Sequence, residues 1–354
     1  MTSRIFKFGK TVIASAIVAL SFSATPALAQ DKTVNIKIAG MFGSNFQPIG
    51  KHVNEMTKNV ALATNNTVRM RFYEPGALVP VLGIFDAVSA GSVEAGHVGI
   101  GLYINKEPGL ALFNAAPFTP DLQQFISWIY YGGGQEILDE VLAQHNIKGI
   151  FCGMLSPEAG GWFRKEINSL EDLRGLKMRI GGLGANVLER LGVSTQALGG
   201  GDVFPALERG VIDAAEFSNP GMDEPMGFDQ ASKYYYFPGW QNPVSPEWLI
   251  INKAVYDKLS DNQKNAIEVA CGNAVIRSVA EGEILSMKAV ERIREKGNVE
   301  IRKWDPEMIK QLKQVWEEEA ERLASTDANF KKIWESQQAF RAANSKLADL
   351  QKLP

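Results

Sequence analysis

Two short segments that lie far apart in the chain repeat the same local pattern. Residues 87–95, A-V-S-A-G-S-V-E-A, are similar to residues 206–214, A-L-E-R-G-V-I-D-A. Each reads as a helix end, a glycine beyond it and a short strand that carries an acid and an alanine. Two lobes of like topology would produce such a repeat, although a common pattern can also recur by chance. On this alignment His97 and Glu216 lie at the exits of equivalent strands, where ligands of open sheets bind.

The segment around the first copy predicts an α/β fold. Alternating apolar residues indicate strands at 34–40 and 68–73, with a helix around 48–63 between them and a second helix that ends near Gly91. Strands that alternate with helices are typical of an open α/β sheet. Because 354 residues exceed what one hydrophobic core usually holds, we predict two lobes.

Two apolar, strand-like segments are predicted to cross between the lobes. Residues 147–154 lead to a hinge near Ser156, and residues 243–252 return to the first lobe. Lobe I is therefore predicted at 30–155 with a return segment at about 245–285, lobe II at 156–244 with about 286–305, and C-terminal helices at 306–354. Those helices carry an apolar stripe, which indicates that they cover a core, with contact to a partner as the alternative.

The first 29 residues have the features of a secretory signal peptide. Three basic residues precede an apolar run at 12–22 and the sequence A-L-A at 27–29, after which cleavage is predicted. The run is shorter than the roughly 20 apolar residues that a membrane span needs. We therefore predict a soluble mature protein in the periplasm. The formal net charge of −3 provides no basic surface for nucleic acid.

The sequence shows no recognisable catalytic machinery. Its glycine clusters match neither the dinucleotide nor the Walker pattern, and G-x-S-x-G and H-E-x-x-H are absent. Cys152 and Cys271 can pair in an oxidising compartment, but two buried, unpaired cysteines are the favoured interpretation. We predict a binding protein without an organic cofactor. The alternative from another class is a periplasmic enzyme that acts on a carboxylate, with Glu158 or Glu216 as its base.

A candidate anion site lies within residues 160–182, G-G-W-F-R-K-E-I-N-S-L-E-D-L-R-G-L-K-M-R-I-G-G. Arg179 ends a short apolar strand that runs into the Gly181-Gly182 turn. A guanidinium binds a carboxylate bidentately, and the carboxyl end of a strand faces a crevice in folds of this kind. We interpret Arg179 as a ligand anchor, with a structural ion pair as the alternative.

Three oxygen-bearing side chains, Glu158, Glu216 and Asn242, stand next to glycine or proline turns or at a strand end. Carboxylate and amide oxygens are the ligands that hard cations such as Na⁺ and Ca²⁺ prefer. Each residue can also be an ordinary surface turn residue, because only the fold decides whether the three converge.

Three longer runs resemble the periplasmic solute-binding subunits of TRAP transporters. They are residues 160–182, residues 200–216 (G-G-D-V-F-P-A-L-E-R-G-V-I-D-A-A-E) and residues 233–240 (K-Y-Y-Y-F-P-G-W). The resemblance extends over essentially the whole mature chain and is greatest to the branch that binds 2-oxo acids such as pyruvate together with a metal ion. It implies a two-lobed periplasmic binding protein fold that closes on an organic acid and delivers it to membrane subunits.

The resemblance also assigns residues. The family's carboxylate-binding arginine falls on Arg179. The branch holds its cation with a glutamine, a glutamate-tryptophan pair and a second glutamate, and these positions are Glu158, Glu216-Phe217 and Asn242 in this chain. Phe217 can supply the same backbone carbonyl as the tryptophan, and the site keeps two negative charges in a different arrangement. We therefore expect Na⁺ or Ca²⁺ to bridge ligand and protein.

Two aromatic residues complete the predicted site. Tyr103 is expected to contact the ligand from lobe I and Trp162 to form an apolar wall, with ordinary packing as the alternative for each. The predicted ligand is a 2-oxo or 2-hydroxy monocarboxylate, and the alternative is a dicarboxylate or a larger oxo acid. A homodimer through the C-terminal helix is a further prediction, because some relatives exchange that helix.

Overall fold

The computed structural model describes residue 1 and residues 31–114 and 116–351. The strands of this part of the chain form two separate sheets. Apart from its first residue, the predicted signal peptide lies outside the described residues. The strands are β1 (Val34–Gly40), β2 (Val68–Tyr73), β3 (Ala95–Val98), β4 (Ile147–Leu155), β5 (Gly161–Phe163), β6 (Lys177–Arg179), β7 (Ser194–Gln196), β8 (Ala214–Ala215), β9 (Tyr234–Phe237), β10 (Ser245–Asn252) and β11 (Glu300–Lys303).

The α-helices lie between and after these strands. They are α1 (Ile49–Ala63), α2 (Ile84–Ser89), α3 (Leu122–Tyr131), α4 (Gly134–Ala143), α5 (Gly182–Arg190), α6 (Gly200–Glu208), α7 (Pro220–Asp223), α8 (Lys253–Tyr256), α9 (Asp261–Lys296), α10 (Pro306–Thr326) and α11 (Ala328–Gln351). Short 3₁₀ turns occur at Val81–Gly83, Ile100–Tyr103, Pro108–Phe113, Leu170–Leu173, Glu224–Met226 and Phe228–Gln230. No helix within the described ranges is long and apolar enough to cross a membrane.

The first sheet has the strand order β2-β1-β3-β10-β4, and the second has the order β11-β9-β5-β8-β6-β7. In the first sheet β1 runs parallel to β2 and β3, while β10 is antiparallel to β3 and β4. In the second sheet β6 runs parallel to β7 and β8, while β5 is antiparallel to β8 and β9. Each sheet thus combines a parallel α/β part with an antiparallel strand, and the predicted α/β class with two lobes is confirmed.

The repeated segment has equivalent structures in the two sheets. Gly91 separates α2 from β3, and Gly210 separates α6 from β8. Both glycines have positive φ angles, +73° and +69°, which glycine adopts without a steric cost and which ends a helix sharply. His97 lies in β3 and Glu216 follows β8 directly, so the repeat reflects a real equivalence between the two sheets.

The chain changes sheets next to the two apolar segments that were predicted to cross, and these segments are themselves strands β4 and β10 of the first sheet. β4 belongs to the first sheet and β5 to the second, so the first crossing covers residues 156–160. The return crossing covers residues 238–244, between β9 and β10. Helix α9 packs on α1 and β4 as well as on α7, and the Ser286 hydroxyl lies 3.2 Å from that of Ser156 at the first crossing. The exact lobe boundaries stay a prediction, since residues from Thr33 onward form one compact unit.

The C-terminal helices cover the core, as their apolar stripes predict. Helix α10 packs on α5, and α11 packs on α3 and α4. Their buried residues Leu312, Trp316, Phe330 and Ile333 belong to a cluster that also contains side chains of both sheets. Because this cluster contains side chains of both sheets, the helices stabilise both lobes rather than one.

The two cysteines form a disulfide between Cys152 in β4 and Cys271 in α9. The favoured interpretation of two unpaired cysteines is therefore wrong. The reason is that β4 and α9 pack directly against each other and bring the two Cα atoms to 4.2 Å, although 119 residues separate them in the chain. Sequence spacing carries no information about such a distance.

Candidate functional site

Strand pairing places Arg179 beside Glu216. Arg179 is the last residue of β6, and its partner in the parallel strand β8 is Ala215. The backbone N–H of Glu216 donates to the carbonyl of Arg179 at 2.8 Å. The residue that follows β8 therefore emerges next to the arginine, at the carboxyl ends of both strands. Sites for ligands are expected at this edge of an α/β sheet.

The Arg179 side chain is held by protein groups but remains partly accessible. One terminal nitrogen, Nη1, donates to the carbonyl of Glu216 and lies 3.6 Å from its carboxylate, while Nε donates to the Leu198 carbonyl at 3.3 Å. The guanidinium carbon lies 5.1 Å from the centre of the Phe217 ring, a cation–π distance. The ion pair that was the alternative interpretation of Arg179 is therefore present. The side chain is also 18% exposed, so part of the guanidinium remains accessible to a ligand.

Glu158 and Asn242 are in direct contact across the two crossing segments. The amide Nδ2 of Asn242 donates to Oε2 of Glu158 at 2.8 Å, and the hydroxyl of Ser245 donates to Oε1 at 2.6 Å. The close approach of these segments depends on Gly239, because a Cβ there would lie only 2.4 Å from the Glu158 carbonyl oxygen. The glycine of the P-G-W run thus allows the return crossing to lie against the Glu158 backbone.

Glu158 and Glu216 form an interacting pair of buried carboxyl groups. Burial raises the pKa of Glu158 well above its ordinary value, and the charge of Glu216 raises it further. Burial also raises the pKa of Glu216, although the Arg179 guanidinium opposes the shift. Two neighbouring carboxyls in a poorly hydrated site retain a proton, because their negative charges repel each other. A bound cation would replace that proton.

The residues present fit a hard cation. Oε1 of Glu216 is buried and has no hydrogen-bond partner among the described residues, and Asn242 uses its Nδ2 for Glu158, which leaves its amide oxygen available. Together with the Phe217 carbonyl these groups offer only oxygen atoms, which suit Na⁺ or Ca²⁺. Within the described ranges no group of three or more His, Cys, Asp or Glu residues could hold a metal. Such a site therefore depends on two carboxylates supplemented by neutral oxygens and by the ligand.

Trp162 lies in the core of the second lobe rather than at an accessible wall. Its side chain is fully buried and stacks on Tyr235, with ring centres 3.8 Å apart. The indole nitrogen and the Tyr235 hydroxyl both donate to Oδ2 of Asp223, each at 2.9 Å. Burial raises the pKa of Asp223 to about 7. This placement corresponds to the packing alternative for Trp162, which supports the site from behind.

Tyr103 is also packed within its own lobe. It is 3% exposed, its hydroxyl donates to the Val81 carbonyl at 3.1 Å, and its ring centre lies 5.2 Å from that of Phe85. His97, the counterpart of Glu216, is buried too, and burial lowers its pKa to about 4. The structure thus brings Arg179, Glu158, Glu216, Phe217 and Asn242 together, but it places Tyr103 and Trp162 in packed surroundings.

Three supporting residues were not found from the sequence. Ser245 holds Glu158, Asp223 holds Trp162, and Gln241 donates to the Ala159 carbonyl at 2.7 Å. Nothing in the local sequence marks Ser245 or Asp223, because their partners lie 87 and 61 residues away. Gln241 stands next to Asn242 after the P-G-W run. This position beside a predicted site residue is the sequence signal that could have indicated its supporting role.

Comparisons with known proteins identify the family to which the chain belongs. Residues 39–327 match the DctP family, described as bacterial extracellular solute-binding protein, family 7. A monocarboxylate 2-oxoacid-binding periplasmic protein of Nostoc sp. is 37% identical over 286 residues, which are 81% of this chain and 78% of that protein.

Two solved structures share the fold. A TRAP transporter solute-binding protein from Bordetella bronchiseptica, a dimer with calcium and picolinate in one active site, has a TM-score of 0.86 and 32% identity over 90% of this chain and 95% of that one. A TRAP periplasmic solute-binding protein from Pseudoalteromonas atlantica with bound sodium and pyruvate has a TM-score of 0.84 and 30% identity over 91% and 100%.

The resemblance found in the sequence is confirmed by these matches, and the alternative of a periplasmic enzyme is excluded by the family. The two-lobed fold, the crossing segments and the buried oxygen site beside an arginine are consistent with capture of a solute rather than its conversion. The chain belongs to the DctP family of bacterial extracellular solute-binding proteins and is a solute-binding receptor of the TRAP transporter type.

Proposed function

We propose that the receptor binds a 2-oxo or 2-hydroxy monocarboxylate together with Na⁺ or Ca²⁺. The ligand carboxylate contacts Arg179, and the cation is held by Glu158, Glu216, the Phe217 carbonyl and Asn242. The observation that carries the proposal is the pair of buried carboxyl groups beside a partly accessible guanidinium. The Nostoc relative and the Pseudoalteromonas structure support it through the ligands that their names state.

Charge balance favours a monocarboxylate over the alternative ligands. When both glutamates are ionised, Arg179 and one Ca²⁺ neutralise them together with a single ligand carboxylate. A dicarboxylate would add a second negative charge to the same buried site, and an unpaired buried charge costs several kcal/mol, about 3–5 in typical cases. The oxygen next to the ligand carboxylate completes a chelate on the cation, which explains a preference for 2-oxo or 2-hydroxy acids.

The transport role follows from the same proposal. The signal peptide at residues 1–29 directs the chain to the periplasm, where the receptor delivers its ligand to TRAP membrane subunits. Binding closes the lobes at the crossings 156–160 and 238–244, since a hinge between two sheets is the usual device of such receptors. A homodimer through α11 is part of the proposal, and the Bordetella structure, which is a dimer, supports it.

The first prediction concerns the anchor. Arg179→Ala removes the guanidinium that pairs with the ligand carboxylate. Pyruvate with CaCl₂ should therefore no longer raise the melting temperature of chelator-treated protein. In the wild type, ligand at about 100 times its Kd adds about 2.7 kcal/mol to the free energy of unfolding. Differential scanning fluorimetry and calorimetric titration measure both effects.

A matched control is Arg174→Ala, because Arg174 lies five positions earlier in the chain and its side chain is 69% exposed. This variant should bind like the wild type. Full affinity in Arg179→Ala would contradict the anchor role, and pyruvate binding that is equal with and without Na⁺ or Ca²⁺ would contradict the cation. Malonate, a dicarboxylate, tests the charge argument in the same assay.

A further inference from the structure

A cavity lies at the crossing segments and shares one lining residue, Glu158, with the proposed ligand site. Its volume is about 460 Å³. We call it the hinge cavity and define it by the residues that line it: Phe118, Thr119, Asp121, Leu122, Pro157, Glu158, Pro238, Gly239, Trp240, Pro243, Ile309, Lys313 and Arg341. Its walls therefore come from both crossing segments, from the loop before α3 and from helices α10 and α11. Arg179, Glu216 and Asn242 are not among them.

Most of the residues that line the hinge cavity are apolar, and contacts between them hold the aromatic rings in place. The rings of Phe118 and Trp240 stack with centres 5.7 Å apart and planes 26° apart. The backbone N–H of Phe118 donates to the Trp240 carbonyl at 2.9 Å, so the loop before α3 is tied to the return crossing. Leu122 and Ile309 add aliphatic surface. An aromatic platform of this kind suits the apolar part of a small molecule.

Two cations stand at the hinge cavity without a strong partner. Arg341 donates from Nη1 to the Phe118 carbonyl at 2.9 Å, but no carboxylate lies within ion-pair distance of it among the described residues. Within the described part of the chain, the one ion pair of Lys313 is a long contact of 3.7 Å to Glu317 on a half-exposed helix face. Pairs of this exposed type contribute little. Burial lowers the pKa of Arg341, because its side chain is only partly exposed to solvent.

The two acids of the hinge cavity are already engaged elsewhere. Asp121 caps α3 and accepts from the backbone N–H and the side-chain amide of Gln124, at 2.9 and 3.0 Å. Both oxygens of Glu158 accept hydrogen bonds from Asn242 and Ser245, which do not line the cavity. Neither acid forms an ion pair with Arg341 or Lys313 among the described residues, so both cations can receive an anion next to an apolar wall.

We propose that the hinge cavity binds a small amphipathic monocarboxylate, with its carboxylate on Arg341 and Lys313 and its apolar part against Phe118 and Trp240. The volume lies within the range of about 300–1,000 Å³ that is typical of small-molecule sites and is too small for a lipid with two acyl chains. Because residues of both crossing segments line the cavity, a bound ligand favours one lobe arrangement and thereby changes the affinity of the first site.

The test is a fluorescence titration of the full mature chain with anilinonaphthalenesulfonate, an apolar sulfonate, followed by displacement with octanoate. The wild type should bind one equivalent, and octanoate should displace it. Arg341→Gln and Lys313→Gln should weaken binding, by about tenfold for the arginine, since a hydrogen bond to a charged group is lost. Arg341→Lys, which keeps the charge, should bind within about threefold of the wild type.

Lys310→Gln is the matched control, because Lys310 lies one turn before Lys313 on α10 and its side chain is 78% exposed. It should leave the affinity unchanged. Leu122→Trp fills the cavity without touching its charges and should abolish binding, so it decides the question if Arg341→Gln does not fold. Probe binding that survives both Arg341→Gln and Leu122→Trp, or no binding to the wild type, would overturn the proposal.

The outcome is independent of the proposed transport function. Arg179→Ala should leave the affinity for anilinonaphthalenesulfonate unchanged, because Arg179 does not line the hinge cavity. The coupling is measured by titrating pyruvate and CaCl₂ with and without saturating octanoate, and an unchanged pyruvate affinity would contradict the coupling. A failure at the hinge cavity and a failure at the first site therefore give different results.

Discussion

The roles of Glu158 and Asn242 depend on each other, because the two side chains are in direct contact. Its two oxygens accept from Asn242 and Ser245, so the carboxylate is fixed by two donors while it approaches Glu216. The resemblance implies a glutamine and a glutamate in the 2-oxo acid branch at the positions that this chain fills with Glu158 and Asn242. The hydrogen bond between the two positions can be made in either direction, because one partner is an amide and the other a carboxylate. On the alignment that the resemblance implies, we expect the exchange to preserve both the contact and the charge.

The second prediction tests this compensation. Glu158→Gln removes one of two negative charges and should weaken Ca²⁺ binding in the presence of pyruvate by at least about tenfold, the loss expected for one charged ligand of a hard cation. The double variant E158Q/N242E reverses donor and acceptor and should restore most of the affinity. Calorimetric titration of chelator-treated protein measures both. Equal affinity of Glu158→Gln and the wild type would show that Glu158 holds no cation.

The third prediction concerns Asp223, whose pKa burial raises from an ordinary 3.8 to about 7. The folded protein therefore keeps a proton on Asp223 in a pH range in which the unfolded chain has lost it. The free energy of unfolding should fall as pH rises from about 4 to about 7, by up to about 1.4 kcal/mol for each pH unit. Denaturant unfolding of chelator-treated protein across this range measures the slope.

Asp223→Asn separates this titration from other groups. Trp162 and Tyr235 donate to the same oxygen, so an amide oxygen can accept both hydrogen bonds while carrying no titratable proton. The variant should show a shallower pH dependence than the wild type. Asp86→Asn, at a site that is 58% exposed, serves as the control and should keep the wild-type slope. An unchanged slope in Asp223→Asn would contradict the assignment.

Helix α9 is the element that connects most of the fold. It begins at a capping box in which Ser260 and Gln263 satisfy each other's backbone N–H groups, and it ends at Gly297. Between these ends it packs on α1, β4 and α7, and the Ser278 hydroxyl accepts from the Met154 backbone N–H at 3.0 Å. The disulfide from Cys271 to Cys152 adds a covalent link to β4, immediately before the first crossing.

The fourth prediction is the contribution of this disulfide to stability. The linkage closes a loop with a sequence separation of 119 residues. Its removal should lower the free energy of unfolding by about 3–5 kcal/mol, because the unfolded chain regains conformational freedom. Guanidinium unfolding of C152A/C271A measures the loss, and the reduced wild type should unfold at nearly the same denaturant concentration. A loss below about 1 kcal/mol would contradict a stabilising role.

The whole receptor is held together by contacts that the two lobes share. One hydrophobic cluster includes side chains of both sheets and of α10 and α11. Helix α11 is fixed by buried Phe330 and Ile333, and the Gln337 side chain donates to the Leu112 carbonyl at 2.8 Å. Later in the same helix, Leu347 and Leu350 are 51% and 84% exposed. An exposed apolar helix end of this kind suits contact with another copy of the chain.

The fifth prediction is therefore that truncation after Arg341 changes the oligomeric state without unfolding the protein. The full mature chain should be a dimer, and the truncated chain a monomer that still binds pyruvate, because Phe330, Ile333 and Gln337 are retained. Multi-angle light scattering measures the mass. L347S/L350S provides a control that keeps the chain length and should also be monomeric. The same number of subunits in all three proteins would contradict a dimer through α11.

Local sequence was sufficient wherever neighbouring residues create the feature. The repeated helix, glycine and strand predicted equivalent positions for His97 and Glu216, because a glycine with positive φ ends a helix wherever it occurs. The short strand before Gly181 predicted that Arg179 lies at the carboxyl end of a strand, and Arg179 is the last residue of β6. The three family runs predicted the solute-binding class. The chain changes sheets at 156–160, beside the hinge that was predicted near Ser156, and at 238–244, just before most of the segment that was predicted for the return.

Only the tertiary structure decided features that depend on residues far apart in the chain. The sequence left open whether Cys152 meets Cys271, and it could not assign Ser245 to Glu158 or Trp162 to Asp223. Trp162 and Tyr103 were expected at the ligand, yet both pack inside their own lobes, because Trp162 stacks on Tyr235 and the Tyr103 hydroxyl donates to the Val81 carbonyl, contacts between residues far apart in the chain. The sequence by itself determined which residues are chemically able to bind, while the path of the chain determined which of them meet.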